Sequence, residues 1–120
     1  MKIALPSQGK SLTEPISSTF GRSNYFVIYD TESGDIKFID NDISKSQENV
    51  GIRTSQLLIA KKVDIVILPQ CGENAANILK MANIRIFQST NESVGDSILA
   101  LQSGELDSLT EIHKGFHSRD

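Results

Sequence analysis

The chain's single cysteine lies in the stretch VDIVILPQCGENAAN, residues 63–77. A β-branched apolar run enters Pro69, and Cys71 and Gly72 then lead into a sequence with helical spacing. A thiol at a helix N-terminus meets unpaired backbone N–H groups and the positive end of the helix dipole, which favour the thiolate. A thiolate is both a nucleophile and a soft metal ligand, so Cys71 is the candidate metal ligand of the chain. Gly72 lets backbone approach a ligand closely, and Asn74 is able to cap the helix or to face a ligand. The competing reading makes Cys71 a small apolar residue that fills volume. A ligand-facing thiol should be partly exposed with a pKa below about 8.5, whereas a packing thiol should be enclosed with its pKa raised.

Enzymes that use these residue types need partners that are missing. A cysteine phosphatase loop requires an arginine six positions after the thiol to grip phosphate, and that position is Asn77. A nuclease of the ribonuclease H type needs a carboxylate on its first strand to hold metal ions, and KIALP has none. The segment HKGFH sets His113 and His117 four apart, a spacing that would put both imidazoles on one helix face. Gly115 between them weakens such a helix by about 1 kcal/mol, and two imidazoles leave most of a metal's shell unfilled. It reads as a solvated tail.

The 120 residues suffice for one compact domain, taken as residues 1–110, with 111–120 a flexible tail. Net charge is −3, with no run of Lys or Arg, which argues against a nucleic-acid partner. No apolar run approaches the ~20 residues that cross a bilayer, and the N-terminus has no cleavable signal pattern, so a cytoplasmic protein is expected. One cysteine cannot make an intramolecular disulfide, and the fold must stand on its core.

The elements that position Cys71 follow from periodicity. Lys2 to Leu5 is a strand stopped by Pro6. An irregular segment from Ser7 to Asn24 follows, long enough to be functional and anchored by Pro15, Ile16 and Phe20. YFVIYD and IKFID form a hairpin around TESGD. Ile52 to Lys62 is helical, VDIVIL is a strand buried on both faces, and Glu73 to Met81 is helical. IRIFQS is the last strand, and Ser93 to Ser103 the last helix, closed by Gly104. The order predicts an α/β domain with a five-stranded mixed sheet, 3-2-1-4-5, strand 2 antiparallel and helices on both faces. That topology resembles the ribonuclease H-like sheet. Strand order reverses between strands 1 and 4, where α/β sheets place ligands, so the Ser7–Asn24 loop and Cys71 are expected to meet there.

The stretch TFGRSNYFVIYD is similar to the signature loop and second strand of the dinitrogenase iron–molybdenum cofactor biosynthesis family, which includes NifX-type carriers and the NifB C-terminal domain. KIALPSQG, GIRTSQLLIAKKVDIVI, CGENAANILKMANIRIF and SVGDSILALQSGEL follow the family's order, and the likeness covers residues 2 to 110. The resemblance implies a ribonuclease H-like fold and a binding or carrier protein, not an enzyme. Its cargo would be an iron–sulfur-type cluster or an iron–molybdenum cofactor precursor, and its partners cluster-assembly proteins. Carried over by position, the ligand surface comprises Phe20, Gly21 and Arg22 on one loop and Cys71, Gly72 and Asn74 on the other. Arg22 would pair with an anionic cargo. Thr19 stands where many relatives carry a histidine, which removes one candidate iron ligand. Two other readings stay open: a metal-free interaction or regulatory module, and a thiol enzyme using Cys71.

Overall fold

The computed structural model describes residues 1–17, 20–21, 23–41, 50–89 and 93–109. Thr19, Arg22, His113 and His117 lie outside the described residues, as does the 111–120 segment. Among the described residues, five strands and three helices follow in the order β1 (Lys2–Ser7), β2 (Tyr25–Asp30), β3 (Ile36–Asp40), α1 (Val50–Ala60), β4 (Ile65–Leu68), α2 (Glu73–Met81), β5 (Arg85–Gln88) and α3 (Val94–Gln102). The sheet order is β3-β2-β1-β4-β5, as the sequence predicts. β2 runs antiparallel to β1 and to β3, while β4 is parallel to β1 and to β5.

Alternation along the strands divides the core into two layers. Ala4, Phe26, Ile28, Val66, Leu68 and Ile86 face one side, where Leu58 of α1 and Ala75, Ala76 and Leu79 of α2 cover them. Ile3, Leu5, Val27, Ile65 and Ile67 face the other, under Val94, Ile98 and Ala100 of α3. β4 is buried at all four positions, which accounts for its unbroken apolar sequence. Each enclosed Leu, Ile or Val contributes roughly 1.5–3 kcal/mol by leaving water.

Several boundaries differ from expectation. β1 continues through Pro6, which pairs in register with Phe26. Its ladder with β4 is confined to Ile3↔Ile65 and Ala4↔Val66, so the ring sits past the paired residues on that side, where no donor is needed. Helix α1 is already helical at Val50, two residues before the apolar spacing begins, and its last turn closes before Lys61.

All three helices end alike. The N–H of Val63 bonds the Leu58 carbonyl, that of Ile84 the Leu79 carbonyl, and that of Glu105 the Ala100 carbonyl. The residues just before these donors, Lys62, Asn83 and Gly104, take φ of 60°, 64° and 73°. This is the Schellman closure, with glycine in one of its three left-handed positions. After α3 the chain returns to the sheet margin. Leu109 donates its N–H to the Ile86 carbonyl and the Asp107 carbonyl accepts from Gln88, so residues 107–109 line the outer edge of β5. Leu106 joins the α3 layer of the core and Leu109 the α1/α2 layer.

Candidate functional site

Because β1, β4 and β5 are parallel, their carboxyl ends share one edge of the sheet. Helices α2 and α3 start at that edge, following β4 and β5. Helix α1 precedes β4 and runs against it, so it also starts there. Three helix N-termini therefore converge on the edge where strand order reverses, the arrangement that favours a negatively charged ligand.

The Ser7–Asn24 segment crosses this edge and treats the helix starts differently. At α3 it supplies acceptors: the Glu14 carbonyl takes the Val94 N–H at 2.9 Å and the Leu12 carbonyl takes that of Gly95 at 2.8 Å. Ser93 completes the cap by accepting from the Asp96 N–H at 3.2 Å. At α1 the contact is steric. Gly21 packs so closely that a Cβ there would come 2.4 Å from Val50 Cγ1. Phe20 turns inward and meets Phe26 edge-on, ring centroids 5.7 Å apart at 77°. Its expected place on the ligand surface becomes a place in the core, for the reason that serves most loop aromatics: the ring anchors the loop.

At helix α2 no side chain caps the first turn among the described residues. Its N-cap is Gly72, at φ −72° and ψ 159°, with no side-chain cap. The Gly72 carbonyl takes the Ala76 N–H at 3.0 Å, which begins the helical ladder. Gly72, Glu73 and Asn74 are all exposed, and nothing lies within 4 Å of where a Cβ on Gly72 would be. Glu73 is an acid in the first turn, which offsets part of the positive charge of this end. Nearby, α1 and α2 approach closely: the Cβ site of Gly51 is 3.5 Å from Ala75 Cβ, and Ser55 donates its hydroxyl to the Gly51 carbonyl at 2.8 Å.

Cys71 departs from the expectation of an exposed, acidic thiol. It is 2% exposed and belongs to the apolar cluster of Phe20, Leu58, Ala75 and Leu79. Burial pushes its pKa up to about 11, and the charge of Lys80 counters only part of that. A protonated sulfur closed off by side chains is poorly placed for nucleophilic attack or for ligation. Among the described residues, no three His, Cys, Asp or Glu side chains gather where they could hold a metal ion.

One residue at this edge was invisible to sequence reasoning. Asn41, directly after β3, is 3% exposed and gives its amide to the carbonyls of Gly21 at 3.0 Å and Ser23 at 2.9 Å. A polar residue after a strand reads as loop, and nothing in its local sequence signals burial.

The likeness to known proteins bears on what this edge serves. The profile of the family described as "Dinitrogenase iron-molybdenum cofactor" matches residues 1–104. An uncharacterized protein of Methanocaldococcus jannaschii is 29% identical over 110 residues, covering 89% of this chain and 90% of its own length. The NMR structure of a candidate NifB protein from Thermotoga superposes with a TM-score of 0.82 at 34% identity, over 99% of this chain and 97% of that one. The apo form of the orange protein from Desulfovibrio gigas has a TM-score of 0.86 at 22% identity, over 91% and 92% of the two chains, a likeness of fold. On the family match and the Thermotoga relative, the chain belongs to the dinitrogenase iron–molybdenum cofactor family.

Proposed function

We propose that this chain is a non-enzymatic carrier of an anionic metal–sulfur cluster, of the iron–sulfur or iron–molybdenum precursor kind, held at the exposed start of α2. Its family lies in the context of iron–molybdenum cofactor biosynthesis or binding, and its partners would be the proteins that assemble and receive the cluster. The observation that carries this reading is the uncapped, exposed Gly72–Asn74 turn at the edge where strand order reverses. Free N–H groups in a helix's first turn, together with its dipole, are a ready anion site. Gly72 lets cargo approach the backbone, the Asn74 amide is a donor beside it, and Arg22, on the loop that Phe20 and Gly21 fix, supplies positive charge. The cargo arrives with its own sulfur shell and is held by charge and hydrogen bonds. Cys71 serves in this account as packing beneath the site.

Anaerobic incubation with ferrous iron and sulfide, with and without tetrathiomolybdate, followed by desalting, tests the proposal. Protein that keeps metal and visible charge-transfer absorption supports it. Burial of Cys71 favours a second reading, a metal-free interaction module, which a folded chain that emerges colourless and metal-free would select.

A further inference from the structure

The turn that enters the sheet before β2 is held from several directions. The Phe20 ring is fixed on Phe26, Gly21 is pressed on Val50, and the Ser23 hydroxyl donates to the Phe20 carbonyl at 3.4 Å. A further hold is Asn41. Its backbone N–H closes on the Asn24 carbonyl at 3.0 Å, which fixes it at the end of the β2–β3 pair. Its side-chain Nδ2 then donates to the Gly21 and Ser23 carbonyls, the two that flank position 22. Those contacts settle the amide's orientation, since two carbonyl oxygens can be met only by the NH2 end. The other end, Oδ1, is buried and has no hydrogen-bond partner among the described residues. An unpaired buried acceptor is unfavourable, so holding the two carbonyls is the gain that offsets it.

We infer that Asn41 is a positioning residue for the ligand loop: its amide holds the Gly21 and Ser23 carbonyls, so that β3 ties the loop down before any cargo arrives. The clamp stands on the hydrogen bonds alone, and its bearing on cargo rests on the carrier reading above. A loop held in advance binds without the entropic cost of ordering it. Alanine removes both donors. Aspartate keeps shape and volume but sets a second oxygen against the two carbonyls, so the isosteric variant should fail as well.

Trypsin reads the clamp directly, because it cuts the Arg22–Ser23 bond. In N41A and N41D that bond should be cut at least tenfold faster than in the unsubstituted chain. Cleavage after Arg53 in α1 and Arg85 in β5 should keep its rate. An unchanged rate after Arg22, or a rise shared by all three sites, overturns the inference. Should neither variant fold, the unsubstituted chain decides: slow deuterium exchange of the Asn41 carboxamide protons supports the clamp and fast exchange overturns it. Loading with iron, sulfide and tetrathiomolybdate separates the two claims. If the unsubstituted chain takes up nothing, the carrier reading fails while cleavage still decides the clamp. If it loads and N41A loads equally well despite selective cleavage, Asn41 does not position the site.

Discussion

Gly21 and Val50 touch so closely that the smallest side chain at position 21 would overlap the first described residue of α1. A Cβ would stand 2.4 Å from Val50 Cγ1 and 3.2 Å from its carbonyl carbon. The loop therefore meets the start of α1 through bare backbone. Gly21→Ala should lower stability by about 1–3 kcal/mol, the usual range for overpacking, read as a drop in the urea midpoint. Adding Val50→Ala should recover part of the loss, because the shortest contact is with its side chain. An unchanged midpoint in Gly21→Ala would mean that loop and helix are not in contact.

The buried thiol ties stability to alkaline pH. The folded pKa of Cys71 is raised from 9.0 to about 11, so between those values the unfolded chain gives up a proton that the folded chain keeps. The contribution is fully present below about pH 9 and falls as pH rises toward 11, by roughly 2–3 kcal/mol at about 1.4 kcal/mol per unit. Cys71→Ala should be less stable at pH 7 and show a shallower alkaline decline than the unsubstituted chain. Parallel declines in the two proteins would place the thiol in water. Iodoacetamide at pH 8 should leave the folded protein unmodified.

The shared helix endings separate in sign. Lys62 and Asn83 hold left-handed backbone while exposed, so Lys62→Gly and Asn83→Gly should raise stability by several tenths to about 1 kcal/mol. Gly104→Ala should lower it by a similar amount. Thermal unfolding of the three variants checks this, and a loss in Lys62→Gly would show that its side chain, not its backbone, matters there.

Closure of the β5 edge by residues 107–109 lies beyond the 1–104 span that the family profile covers. Leu109 is buried in the α1/α2 layer, so Leu109→Ala should cost about 2–5 kcal/mol. A chain ending at Gly104 should lose at least as much and expose the β5 edge to pairing. Equal urea midpoints for the full and shortened chains would make the segment an ornament.

Sheet order, strand directions and the two helical layers were legible because they rest on periodicity and on the handedness of crossovers, which sequence carries directly. The bounds of α2 and the Gly104 ending were legible for the same reason. Lys62 and Asn83 were missed because non-glycine residues take the left-handed position there. The site was half legible. Gly72 and Asn74 sit at the expected edge because element order puts them there. Cys71 and Phe20 do not face outward, since which way a side chain turns at a strand–helix junction depends on packing among residues far apart in sequence. Leu58 of α1, whose layer encloses the thiol, lies 13 positions away from it, and no local pattern links the two.

Gly72 allows the central claim to be tested without damaging the fold, because a Cβ there meets open space at an ordinary φ. Gly72→Asp would cap α2 with its own carboxylate, leaving stability equal or slightly higher while occupying the proposed anion site. The measurement is anaerobic uptake of iron, sulfide and tetrathiomolybdate by the unsubstituted chain, Gly72→Asp and Cys71→Ala, with bound metal counted after desalting. The account predicts uptake at least tenfold weaker in Gly72→Asp and within about twofold of unsubstituted in Cys71→Ala. Full loading of Gly72→Asp, or loss of loading in a folded Cys71→Ala, would contradict it.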